Sequence, residues 1–146
     1  MVLLGGEIAR HPGLASVVGQ FDWTPQVAVD LDAVAEAASG RAVAAVLIHP
    51  HAMDMPWKQA LAAVREAAPH AAVILCHRFA EPIDWDDASA EGAFSLLHLP
   101  LHLGELRQSL GFVWAARTKR LHVIPTDARV RSCLPKPHRR TARDVA

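Results

Sequence analysis

The sequence predicts an α/β domain built on a five-stranded, doubly wound parallel sheet and followed by a basic C-terminal tail. Three observations carry this reading. Short apolar runs alternate five times with segments whose apolar residues recur at helical spacing, the pattern of a parallel sheet covered on both faces. Two of those runs, residues 42–48 and 72–76, are apolar throughout, as strands buried on both faces are. The charge is divided: residues 1–116 hold 6 basic and 13 acidic side chains, whereas 117–146 hold 9 basic and 2 acidic.

The elements follow in order. Val2-Leu3-Leu4 reads as a first strand ending at Gly5-Gly6. Leu14, Val17, Val18 and Phe21 fall on one helix face, with Pro12 suited to the first turn. A second strand is expected over 26–29, after which Asp30 can cap a helix whose apolar stripe is Leu31, Val34, Ala35 and Ala38 and whose stop is Gly40. The run 42–48 is the third strand. Trp57, Leu61, Val64 and Ala68 stripe the third helix, which Pro69 ends, and 72–76 is the fourth strand. The acidic stretch 81–91 predicts a short fourth helix with Asp84 as cap and Gly92 as stop. The fifth strand is expected over 94–97. Leu103, Leu106, Leu110, Val113 and Trp114 stripe a fifth helix ending near Lys119, although Gly104 and Gly111 lower its propensity. Beyond it, Pro125, Pro135, Pro137 and scattered arginines read as an extended or disordered tail. The expected division is thus a domain over 1–120 and a tail over 121–146.

The chain has 146 residues, 51% of them hydrophobic, enough for one packed domain and too apolar for a disordered polyelectrolyte. No apolar run nears the ~20 residues of a membrane span. No basic residue precedes the short apolar start, so no secretory signal is expected. Cys76 and Cys133 form neither a disulfide framework nor a zinc ribbon, and a cytoplasmic location is the expectation.

In a doubly wound sheet, ligands sit beyond the carboxyl ends of the strands. The residues there are Gly5, Gly6 and Glu7; His49 and His51; His77; and Leu99 and Pro100. With the framing segments Pro69-His-Ala-Ala-Val-Ile-Leu, Gly92-Ala93 and Pro100 ahead of Glu105-Leu106, this pattern resembles a response-regulator receiver domain along roughly residues 2–119. The resemblance implies the flavodoxin-like receiver fold. It also implies where the phosphorylation site would lie. Gly5 and Gly6 stand where the family has an acidic pair, His49 where it has the phospho-accepting aspartate, His77 where it has Thr or Ser, and Leu99 where it has lysine. Aspartyl phosphorylation needs a carboxylate nucleophile, a Mg²⁺ held by oxygen ligands, and groups that neutralise the phosphoryl oxygens. All of these parts are missing together, so the resemblance implies a degenerate pseudo-receiver without catalysis and without a cofactor.

The leading functional expectation is a phosphorylation-independent regulatory module of signal transduction, of the two-component type, that works through protein–protein interaction. In the family, the face made by the fourth helix, fifth strand and fifth helix docks a partner or a second copy; here it would include Trp85, Phe94, Leu96 and Trp114. Trp57 and Trp114 sit in helical stripes and are expected to be core or half-buried, whereas Trp85 reads equally as partner anchor or local packing. A second expectation is a sensor binding a small ligand or a metal such as Zn²⁺ through Glu7, His49 and His77. His11, His70, His122 and His138 need no function, His98 is expected to alternate off the pocket, His102 opens the last helix, and His51 is assigned to neither reading. A third is nucleic-acid association through Arg117, Lys119, Arg120, Arg129, Arg131, Lys136, Arg139, Arg140 and Arg143. Alternatively the tail meets an acidic partner or the 81–91 segment. No aromatic residue interleaves these cations, so base stacking is not supported.

Overall fold

The computed structural model describes residues 1–122. Its elements are β1 (Val2–Leu4), α1 (Gly6–Ala9), α2 (Leu14–Gly19), β2 (Gln26–Ala28), α3 (Leu31–Gly40), β3 (Ala45–Ile48), a 3₁₀ turn (Pro50–Met53), α4 (Trp57–Ala67), β4 (Ala72–Arg78), α5 (Trp85–Ala90), β5 (Ser95–Leu99) and α6 (Leu103–His122). The strands are parallel and ordered β2-β1-β3-β4-β5. In this register Ile48 lies beside both Leu4 and Leu75, and His77 lies beside His98.

Side-chain alternation along the strands makes two cores. Ala45, Leu47, Ile74, Cys76, Leu97 and Leu99 face α1, α2 and α6, where Ile8, Val17, Val18, Leu106 and Leu110 meet them. Val46, Ile48, Val73 and Leu75 face the other way, onto Val34 of α3, Leu61 and Val64 of α4 and Ala88 of α5. The helix starts follow the capping chemistry expected. Asp30 accepts the Ala33 amide at 2.8 Å, and Asp84 accepts the Asp87 amide at 3.1 Å.

Several boundaries differ from the sequence reading. The short helix α1 was not anticipated; its only buried residue is Ile8, too little to give a periodic signal. Strand β3 begins at Ala45 rather than at residue 42, since 42–44 are apolar but lie ahead of the ladder, Ala44 giving it only a carbonyl that accepts the Ala72 amide at 3.0 Å. Strand β4 continues past the apolar run to Arg78, and β5 runs from Ser95 to Leu99. Pairing with β5 carries β4 through His77 and Arg78, which hydropathy alone does not mark. Helix α6 runs to His122 despite Gly104 and Gly111, because Leu106, Leu110 and Val113 are fully buried along it and tertiary packing overrides propensity. It thus crosses the expected domain boundary at 120. Most of the expected tail, with Cys133, His138 and Arg129, Arg131, Lys136, Arg139, Arg140 and Arg143, lies outside the described residues. No helix among the described residues is long and apolar enough to cross a membrane.

The turn from α5 into β5 depends on Gly92. Its φ is +96°, and an added Cβ would lie 2.5 Å from the Arg65 guanidinium, which donates to the Glu91 carbonyl at 2.9 Å. Gly92→Ala should therefore destabilise the domain by about 1–3 kcal/mol in urea unfolding. An unchanged midpoint would show that the turn accepts another backbone conformation.

Candidate functional site

The carboxyl ends of β1, β3, β4 and β5 form one rim. Gly5, buried and at φ +129°, turns the chain out of β1 and into α1. This brings Glu7 back over the sheet. Its Oε2 receives a hydrogen bond from Arg78 Nη2 at 2.6 Å and lies 3.8 Å from His49 Nδ1. Because β3 lies between β1 and β4, the Glu7–Arg78 ion pair reaches across the end of β3, where His49 sits. The Arg78 hydrogen bond holds the Glu7 carboxyl below the usual glutamate range. Both partners are about half exposed, so the pair contributes only about 0.2–1 kcal/mol and acts mainly by position.

The sequence reading missed Arg78. It stands next to His77 beyond the apolar part of β4, and only strand pairing shows that it is still in register with Leu99.

His49 and His77 are each 5% exposed, and both line a cleft of about 230 Å³ closed by Met55, Pro56, Trp57 and Ile83. Their Nε2 atoms are buried and have no hydrogen-bond partner. His77 Nδ1 accepts the Ile83 amide at 3.4 Å, and the ring packs on His98 at a centroid distance of 4.4 Å. Phe79 stacks on His98 at 4.6 Å. His51, at the cleft mouth, lies 5.9 Å from the His49 ring and pairs with Glu81 at 3.4 Å.

Burial pushes both imidazoles below the ordinary histidine range. For His49, the Arg78 and His51 charges add to burial, while Glu7 and Glu81 act against it. For His77, His98 adds to burial and the carbonyls of Glu81 and Arg78 oppose it. Cys76, which also lines the cleft, has its thiol pushed up to about 12 by burial and is inert at neutral pH.

The other expected site residues are placed as follows. Gly5 and Gly6 line a separate apolar cleft with Val27, Ala28, Met53 and Met55. Leu99 is packed in the α1–α2–α6 core and presents nothing to the rim. Glu7 and His49 come together, but the Glu7 carboxylate is taken by Arg78. Among the described residues, no three His, Cys, Asp or Glu side chains gather where one ion can be held, so the Glu7–His49–His77 metal set is not assembled.

The four residues of the expected interaction face do not share a surface. Leu96 packs against the α3–α4–α5 core and Phe94 against the opposite one. Trp85 is 46% exposed, and Trp57 is half-buried over its neighbour Lys58. Trp114, expected in the buried stripe of α6, is 49% exposed. Ser109 of α6 meets Ser95 of β5 at 3.0 Å, which marks one flank of that helix, and Leu103 packs on Gly13 ahead of α2, which marks the other. Trp114 follows Leu103 by about three turns and so lies on the α2 flank. Phe112, 60% exposed, lies within about 60° of Ser109, on the β5 flank. The outward aromatic beside β5 is therefore Phe112, a residue outside the apolar stripe that periodicity selected.

The unfolded chain accepts protons at these two histidines near the ordinary value of about 6.5. The folded rim accepts them only at lower pH, so this share of stability is present above that value and is lost as pH falls toward the lowered folded values. The melting temperature should fall between pH 8 and pH 5, and the slope should flatten in a His49→Gln/His77→Gln variant. A melting temperature independent of pH in wild type would mean that both rings protonate freely in the folded state.

No protein-family model matches the chain, and no curated protein matches it in sequence. Solved structures do match its fold. NtrX from Brucella abortus, in complex with ADP, superposes with a TM-score of 0.66 at 16% identity over 92% of this chain. The chain spans 30% of the length of that structure. The signal receiver domain of an HD domain-containing protein from Pseudomonas fluorescens Pf-5 gives 0.63 at 20% identity, covering 84% of this chain and 91% of that one. A response regulator receiver domain protein from Clostridium thermocellum gives 0.59 at 20% identity, covering 82% and 96%. The fold is that of a receiver domain.

Proposed function

We propose that the protein is a regulatory interaction module that keeps the receiver fold and works without phosphoryl transfer. One observation carries the reading: the end of the central strand β3 presents a buried imidazole, His49, in place of a carboxylate nucleophile. An imidazole cannot form an acyl phosphate. The surroundings agree. Gly5 and Gly6 offer no oxygen side chains for a hard cation, the Glu7 carboxylate is engaged by Arg78, and Leu99 faces the core. Recognition of another protein or a second copy is the role this reading assigns.

For that role the α5–β5–α6 edge is the proposed surface. Trp85 on α5 and Phe112 on the β5 flank of α6 are its outward aromatics, and aromatic anchors dominate binding energy at interfaces. The acidic first turn of α5, with Asp86 and Asp87, favours a basic partner surface.

Incubation with acetyl phosphate or beryllofluoride plus Mg²⁺ should leave the mass and amide spectrum unchanged; a stable phosphoryl adduct on an aspartate would overturn the reading. For the surface, Trp85→Ser/Phe112→Ser should weaken self-association or partner capture at least tenfold with unchanged circular dichroism, while Trp114→Ser should leave it intact. The opposite ranking would move the interface to the α2 flank.

A further inference from the structure

The sheet ends at β2 on one side, and among the described residues no strand lies beyond it. Gln26 donates its amide to the Met1 carbonyl at 2.9 Å, so alternation along the strand turns the amide and carbonyl of Val27 to the open edge. The side chains there are apolar: Val27 is 55% exposed and Val29 87%. Sheet edges are ordinarily blunted by lysine, a bulge or a covering segment. Residues 20–40 contain no Lys, Arg or His, and their charged residues are Asp22, Asp30, Asp32 and Glu36. An apolar open edge in an acidic stretch selects an extended partner that is apolar on one face and basic on the other.

That pattern stands in this chain beyond α6. Pro125 and Pro135 bracket residues 126–134, in which Ala128, Val130, Ser132 and Leu134 alternate with Arg129, Arg131 and Cys133. Alternation of period two is a strand signal, and proline at each end limits it. Residues 123–146 as a whole hold six basic and two acidic side chains. The end of α6 suits this partner. Arg117 lines a cleft with Asp22, Thr24 and Gln26, at the start of β2. His122, the last residue of α6, lies about 8 Å of helix further on. Residues 123–127 span up to about 17 Å when extended, enough to return to that cleft. Handedness then chooses the edge. The β1–β2 connection passes over the sheet face covered by α1 and α2, and α6 lies on that same face. A strand that follows α6 and pairs with β2 therefore crosses the sheet in the same sense, by a right-handed crossover. Beyond β5 the same helix would make a left-handed one, which folds almost never contain.

We propose that residues 126–134 of this chain pair in parallel with the outer edge of β2, as a sixth strand that covers Val27 and Val29. Val27 faces away from the α3 side of the sheet, since its neighbour Ala28 enters that core. Laterally paired residues share a face, so Ala128, Val130 and Leu134 lie beside the two valines. Arg129 and Arg131 then fall on the face that carries α3, with its exposed Asp32 and Glu36. The edge that would otherwise recruit another chain is closed by the protein itself, at the side of the sheet opposite β5. This inference goes beyond the proposed function and does not depend on it.

The test is amide hydrogen exchange on the full chain, read residue by residue by NMR. The Val27 amide should exchange at least tenfold more slowly than in Val130→Pro/Arg131→Pro, which removes one amide facing each way, while Leu47 and Ile74 of the core stay equally protected in both. Within 128–132 the protected amides should alternate, because only every second one faces β2. A second measurement places the segment directly. Cys76 is buried, so a nitroxide label is directed to Cys133, and it should broaden the amides of β2 more than those of β5. Free exchange at Val27, or protection unchanged in the proline variant, would overturn the proposal. So would broadening greatest at residues 81–91, which would put the segment on the acidic α5 edge. Broadening seen only between copies, in a mixture of ¹⁵N-labelled and nitroxide-labelled chains, would give the edge to a second molecule and overturn it equally.

Discussion

Strand β3 has no free side. Ala45 and Leu47 enter one core, Val46 and Ile48 enter the other, all four are 0% exposed, and both backbone edges are paired, with β1 and with β4. Whatever residue follows Ile48 inherits this dry environment. His49 does, and burial then dictates that its ring stays neutral and takes its charge partners from neighbouring strands. Glu7 reaches it from beyond β1, and Arg78 from the end of β4 neutralises Glu7. The chemistry of the rim thus descends from the burial of one four-residue strand.

That burial also explains what was legible in the sequence. Residues 45–48 and 72–76 announce strands because both faces are dry and apolar throughout, and Asp30 and Asp84 announce helix starts because capping is local chemistry. Both signals are carried within a few residues. The placement of His49 and His77 in one cleft follows from strand order, so it too was accessible once a parallel sheet was inferred.

What escaped depended on contacts between distant segments. Arg78 acquires its role from Glu7, 71 residues away, and β4 extends to include it only because β5 pairs alongside. Helix α1 exists to turn the chain after Gly5 and buries a single side chain, so it leaves no stripe. Trp114 looked like part of the α6 stripe because it adjoins Val113, yet the stripe's buried centre is Leu106, Leu110 and Val113, and a residue about 100° beyond Val113 already leaves the core. Phe112 leaves it on the other side. Periodicity identifies the buried face and says little about which flank each exposed neighbour takes.

The electrostatics of the rim differ from those of a phosphoryl-transfer site. A phosphoryl-transfer site gathers carboxylates and a cation and is held together by strong charge interactions with a metal and with solvent. Here the half-exposed Glu7–Arg78 pair crosses the rim and Glu81 lies beside His51 at its mouth, while the interior holds His49 and His77, whose rings burial favours in the neutral form, with His98 packed on His77 and Phe79 on His98. The chain that leaves β4 at Arg78 runs on to Asp84 and the α5 edge that carries Trp85, so the rim and that edge are joined by a connection of a few residues.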